Sequence, residues 1–190
     1  MRLPFKIRAS VSLPICLATF TVIYGPRYVF SILAASALHE AGHLAAIYTL
    51  KERVSCITLR PFGAVIERAG NRSTYTGDAL ISISGPIVNL ISFLICSHFG
   101  NFGYFASASL MLALVNLLPA RPLDGYSALS AMLLSRISPV RAEKICKAFS
   151  LTVLAVIWTF SVYMLLYANF NVSLLLMVTI LICETVLHRK

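Results

Sequence analysis

Acidic residues are scarce in this chain: seven Asp and Glu in 190 residues, against sixteen Lys and Arg, for a formal net charge of +9. Charged residues of both signs reach only 12%, while 58% of the chain is hydrophobic. Soluble domains carry about a quarter charged residues, so that class is excluded and an integral membrane protein is expected. The five cysteines (Cys16, Cys56, Cys96, Cys146, Cys183) stand far apart with no CxxC among them. That excludes a cysteine metal site and implies no disulfide framework. Most lie in or near apolar runs, where a cysteine serves as a small buried hydrophobe. Repeats, low-complexity tracts and soluble appendages are missing too, which leaves one compact membrane domain over residues 1–190.

The basic excess admits two readings, a nucleic-acid partner or the cytoplasmic side of a membrane, and position decides between them. Residues 1–8 hold Arg2, Lys6 and Arg8, and residues 9–24 form an apolar run broken by Pro14. A signal peptide has this shape, but no small-x-small cleavage site follows, so an uncleaved first helix is expected. Tyr24-Gly25-Pro26-Arg27 reads as a tight turn. The second span covers 28–50, the third 77–99 and the fourth apolar run Phe102–Leu118. A break at 116–125 precedes a resumed segment, Tyr126–Ser135. Residues 136–147 read as a basic loop or short surface helix, and 148–168 and 170–187 as a helical hairpin through Asn169. The expected fold is an all-α polytopic membrane protein with about six transmembrane helices in the cytoplasmic membrane and both termini cytoplasmic. Arg27 is then the only basic residue outside. The other fifteen lie inside or at the inner edge, with Arg121 counted there, and no nucleic-acid partner is needed.

One segment departs from helical periodicity. Val54–Arg60 is rich in β-formers, Pro61-Phe62-Gly63 turns the chain and Ala64–Ile66 follows, which predicts a β-hairpin. Open sheet edges are not tolerated in lipid, so the hairpin belongs at the interface or along a wet cavity.

The 23 residues of the second span carry one formal charge, Glu40, inside His39-Glu40-Ala41-Gly42-His43. A helix brings residues four apart onto one face, so His39 and His43 can hold one metal ion with Glu40 beside it. The alternative is three polar side chains bonded to one another in a bundle interior, which would need several further polar partners. A zinc site also needs a third protein ligand and an open position for water. Glu52, Glu143 and Glu184 sit with basic residues at helix ends, where solvated surface is the ordinary role. Glu67 and Asp78 have capping or surface roles open to them. Asp124 follows two prolines that break a membrane segment, and capping the half-helix after it is its plain alternative. Depth favours more than a cap. His39 lies 12 residues before Lys51 and Asp124 lies 12 before Arg136. On this topology both groups sit about 18 Å in from the basic boundary, at about 1.5 Å per residue.

HEAGH in a membrane helix, followed by Asn116-Leu-Leu-Pro119-Ala-Arg-Pro122-Leu-Asp124-Gly125, resembles the site-2 protease family of intramembrane metalloproteases. Gly85-Pro86-x-x-Asn89 and Arg60-Pro61-Phe62-Gly63 look most like its sporulation branch, the stage IV sporulation protein FB type that cleaves a pro-sigma factor. The resemblance covers about residues 28–135. It implies His39, His43 and Asp124 as ligands of a Zn2+ ion and Glu40 as the catalytic acid/base. It also implies a membrane-bound or membrane-associated protein substrate and membrane proteins that inhibit or regulate the enzyme. Zinc would polarise the scissile carbonyl and lower the pKa of its water, and Glu40 would carry the proton to the leaving amine. Asn116 and Asn89 are candidates for holding an extended substrate backbone or bonding to the zinc layer; helix–helix hydrogen bonds remain open for both. His98 and His188 read as surface residues at membrane edges. Tyr126 stands where many relatives carry a second glycine, and no CBS or PDZ domain is expected. A non-catalytic adaptor that binds membrane proteins is the alternative function; such proteins usually lose a ligand or the base. A zinc transporter would want ligands at several depths.

Overall fold

Gly25 stands at φ 85°, in the left-handed region glycine enters freely, and Pro26 follows as the first residue of a helix. This turn separates α1, Ser12–Tyr24, from α2, Pro26–Thr49. The computed structural model describes residues 6–10, 12–60, 63–69, 74–100, 103–167 and 172–187. The turn at Pro61-Phe62, Asn101, the hairpin turn at Asn169 and His188 lie outside the described residues. Two compact units divide the chain, Met1–Val115 and Asn116–Lys190.

In the first unit the chain begins with β1, Lys6–Ala9, and after α2 forms β2, Arg53–Arg60, and β3, Gly63–Ala69. The expected hairpin is present, with Ile57 opposite Ile66 and a bulge between Val54 and Cys56. It is not alone. β1 pairs parallel to β2, Ile7 opposite Ile57, giving a three-stranded sheet in the order β1-β2-β3. Ser10 N–H extends this pairing by donating to the Leu59 carbonyl at 2.9 Å. The basic segment at 1–8 therefore supplies a strand, which four residues with two charges do not announce by period.

The sheet is tied to the helices by charge. Arg68 on β3 binds Glu52 beyond the end of α2 at 2.7 Å and Asp78 at 2.6 Å. Asp78 lies in the first turn of α3, Tyr75–His98. Burial works against the Arg68 cation, but the hydrogen bonds and charges of Asp78 and Glu52 outweigh it and raise its pKa above the ordinary arginine value. So Asp78 does not cap α3; Thr74 does, accepting from Gly77 N–H at 3.0 Å. Glu52 is paired rather than merely solvated.

α4 spans Tyr104–Asn116. Phe20, Tyr24, Tyr28 and Tyr104 form a chain of ring contacts at 5.7, 5.5 and 5.7 Å around the α1–α2 turn and the start of α4. Such aromatics mark a membrane–water interface. In the second unit, α5 runs Asp124–Leu134, α6 Pro139–Tyr167 and α7 Val172–Leu187. Its core is Ala120, Leu154, Val178 and Leu181. The Ser150 hydroxyl donates to the Pro119 carbonyl, joining α6 to the broken segment.

Three described helices, α2, α3 and α6, are long and apolar enough to cross a bilayer. That is half the expected number. α1 and α4 have 13 residues each and α7 has 16, shorter than the about 20 needed to span the hydrocarbon. α1 is shortened because β1 takes the start of the run. The basic loop or short surface helix expected at 136–147 is, from Pro139 on, the first turns of α6, 29 residues long. The long helices expose large apolar side chains, such as Phe30 at 71%, Leu94 at 55% and Val156 at 65%. Surface of this kind fits lipid rather than water.

Candidate metal centre

The site is built where α2 and α3 cross, and two glycines allow it. A Cβ on Gly42 of α2 would meet the Ser84 carbonyl at 2.8 Å and the Gly85 Cα at 3.1 Å. Only a small residue lets the two backbones approach so closely. His39 and His43, one helical turn apart on α2, are both buried. Their Nε2 atoms lie 3.1 Å apart. The space beside them belongs to Gly85: a Cβ there would stand 2.5 Å from His43 Nε2 and 2.8 Å from His39 Nε2.

The far side of each ring is held by α3. His43 Nδ1 donates to the Ile81 carbonyl at 2.7 Å, and the Ser84 hydroxyl donates to the same oxygen at 2.6 Å. His39 Nδ1 lies 3.2 Å from the Asn89 amide nitrogen, and Asn89 is fully buried. Residues 81, 85 and 89 are spaced by four and so share one face of α3. The sequence offers Asn89 for bonding to the zinc layer with a helix–helix hydrogen bond as the alternative, and the structure places it against His39.

This donor set fits zinc. Two nitrogens on a tetrahedral Zn2+ with bonds of about 2.0–2.1 Å stand about 3.3 Å apart, close to the 3.1 Å found. The outer contacts to the Ile81 carbonyl and Asn89 are the usual setting of a histidine–metal site.

Glu40 follows His39 directly on α2 and is half-buried. In the second unit, Asp124 is the first residue of α5, half-buried. Leu123 occupies the N-cap position and makes no side-chain cap, so the capping role weighed for Asp124 is not the one it fills. A Cβ at Gly125 would collide with the Leu117 and Leu118 carbonyls; glycine lets the first turn of α5 pack onto the preceding break. Arg121 lies over the Tyr126 ring at 4.7 Å and 3.5 Å from Glu143. Tyr126 is buried, so the aromatic in place of a second glycine has its own packing. Asn116 ends α4 and is half-buried. His98, the last residue of α3, is exposed as expected.

No family model matches the chain. Its whole length superposes on 93% of the site-2 protease of Methanocaldococcus jannaschii, with a TM-score of 0.63 and 20% identity. The two chains share a fold. In sequence, 112 residues are 30% identical to a protein of Synechocystis sp. provisionally named a zinc metalloprotease, covering 53% of this chain and 30% of that one. A further 32% identity over 104 residues links it to stage IV sporulation protein FB of Bacillus subtilis, covering 50% of this chain and 36% of that protein. The chain spans about a third of the length of the curated relatives it matches. The chain is thus similar in fold to a site-2 protease and, over about half its length, in sequence to proteins named for zinc metalloprotease and sporulation roles.

Proposed function

We propose that the chain is an intramembrane zinc metalloendopeptidase that cleaves a membrane-bound or membrane-associated protein near the cytoplasmic face. The observation that carries this reading is the pair of buried imidazoles whose Nε2 atoms converge at 3.1 Å over Gly85. His39, His43 and Asp124 hold the metal, and Glu40 is the acid/base. The twelve-residue separation of Asp124 from Arg136, matching that of His39 from Lys51, and its place in the LDG motif support its part. Zinc, when bound, supplies a Lewis acid for the scissile carbonyl. Glu40 takes the proton from the attacking water and returns it to the departing amine, splitting one difficult proton movement into two short ones.

A helical substrate hides its peptide bonds in its own hydrogen bonds and must be extended before attack. β2 is the central strand, so a substrate strand added to the hairpin would pair at its other strand, β3, an edge of the sheet among the described residues. Asn116 would hold the extended backbone beside the cleaved bond. The three shorter apolar helices complete a six-span topology with both termini cytoplasmic. A pro-sigma factor is the substrate that the likeness to the sporulation relative supports.

Glu40→Gln tests the reading. It should keep zinc and lower cleavage by about 100- to 10,000-fold, the usual worth of a positioned acid/base. Membrane proteomes of cells carrying wild type or Glu40→Gln name the substrate as the protein that accumulates uncut. Equal processing in both would leave the adaptor reading standing.

A further inference from the structure

We propose that Glu67, on the outer edge of β3, selects substrates by taking a lysine or arginine of the incoming strand opposite it. This rests on the protease reading above and names the feature a segment must carry to be held at that edge.

The sheet has two edges among the described residues, β1 and β3, and their charges differ. β1 presents Lys6 and Arg8, both exposed. β3 presents Val65 and Glu67, also exposed and two positions apart, so both side chains stand on one face of the strand. In register, Lys6 lies opposite Cys56 and Cys56 opposite Glu67. Lys6 and Glu67 therefore end one row, two strand spacings or about 9–10 Å apart, too far for an ion pair. Arg68, the next residue, belongs to the other face and is held by Glu52 and Asp78. Among the described residues nothing pairs with the Glu67 carboxylate, while its main-chain carbonyl accepts from the Ser55 hydroxyl at 3.0 Å.

Such a carboxylate stands out on a chain of net charge +9. Lys51 and Arg53, exposed between α2 and β2, add to the positive field around the sheet. A basic strand approaching β1 meets like charges; at β3 it meets the opposite one. Strand pairing brings facing side chains to about 4.5–5.5 Å, where opposite charges are favoured and like charges are not. The substrate's own sequence supplies the cation. On the proposed topology the sheet lies on the cytoplasmic side, and a membrane protein carries its Lys and Arg on that side of its spans. The substrate residue two places from that cation faces Val65, 40% exposed, where an apolar side chain fits.

The test is binding of two short dye-labelled peptides to the full chain in a non-ionic detergent, read by fluorescence anisotropy. Both alternate threonine and valine, one with a central lysine and the other with a central glutamate. Glu40→Gln serves as the host so that neither peptide is cut. The lysine peptide should bind about three- to tenfold more tightly than the glutamate peptide, the range expected for a favourable against an unfavourable facing pair. Glu67→Lys should reverse that order and Glu67→Gln should erase it; the site is exposed, so neither change disturbs the core. Lys6→Glu should leave the order as it is. Equal binding of the two peptides, an order that survives Glu67→Lys, or an order reversed by Lys6→Glu overturns the inference, the last by placing the strand at β1. A charge that only keeps sheet edges from pairing predicts that Glu67→Gln binds both peptides better by the same factor, and that result overturns it too. Failure of both peptides to bind defeats strand addition at β3 and this inference with it. The protease reading fails separately: wild type that binds no zinc defeats it whatever the peptides do. Cleavage that depends on Glu40, with no charge order among the peptides, defeats only this inference.

Discussion

Gly42 and Gly85 face each other across the α2–α3 crossing, close enough that a Cβ on Gly42 would lie 3.1 Å from the Gly85 Cα. The consequence is chemical as well as steric. Close approach puts the α3 backbone against the imidazoles, so that the Ile81 carbonyl reaches His43 and Asn89 reaches His39. Neither contact survives if the two helices stand a methyl group further apart.

Gly85→Ala should therefore abolish tight zinc binding. Its Cβ would occupy the place in front of both Nε2 atoms. The loss should exceed the about 10- to 100-fold cost of removing an outer hydrogen-bond partner. Overpacking should also lower stability by about 1–3 kcal/mol. Metal content and thermal unfolding of the purified variant read the two effects separately. A variant loaded with zinc at wild-type affinity would contradict the geometry.

Gly125→Ala and Gly100→Ala make a contrasting pair. At Gly125 an added Cβ meets the Leu117 and Leu118 carbonyls, so the start of α5, and Asp124 with it, must shift. Cleavage should fall at least about tenfold, with about 1–3 kcal/mol of destabilisation. Gly100 has φ 69° but nothing within 4 Å. There the substitution should cost about 1–2 kcal/mol of backbone strain and leave the specific activity of the folded enzyme unchanged. Matching activity losses in both would mean that the α5 turn has no special part in the site.

Arg68→Met removes the cation that joins β3 to Glu52 and to Asp78 at the head of α3. Both carboxylates are largely buried, so losing a charged hydrogen bond to them should cost about 1.5–3 kcal/mol. Adding Glu52→Gln and Asp78→Asn to Arg68→Met should recover part of that loss, because the unpaired charges are gone. Chemical unfolding of wild type, Arg68→Met, the Glu52→Gln/Asp78→Asn double variant and the triple variant measures the coupling. A triple variant no more stable than Arg68→Met would mean that the cluster carries no net interaction.

Removal of zinc by a chelator should silence the enzyme, and adding Zn2+ back should restore it while Mg2+ does not. Imidazole nitrogens suit zinc, whereas magnesium prefers an all-oxygen shell. Cleavage of a co-reconstituted membrane substrate is the readout. Restoration by Mg2+ would rule out a site built on His39 and His43.

The membrane character, the His pair and the hairpin were legible in the sequence because each depends on neighbours in the chain. Hydrophobic runs, an i,i+4 spacing and β-branched alternation are local signals, and α2, α3 and the β2–β3 register follow from them. Tertiary structure decided what the chain pairs with at a distance. β1 joins the sheet through a partner some fifty positions away, Lys6 opposite Cys56, and a four-residue strand has too short a pattern to declare itself. Arg68, Glu52 and Asp78 look like scattered surface charges until β3 is folded back onto the helix ends. Asn89 is a candidate for the zinc layer in the sequence, with a helix–helix hydrogen bond also open, and only the packing of α2 lays His39 against it. Periodicity says which face of a helix is special. What that face touches is set by the packing of another segment, a long-range contact that local pattern does not encode.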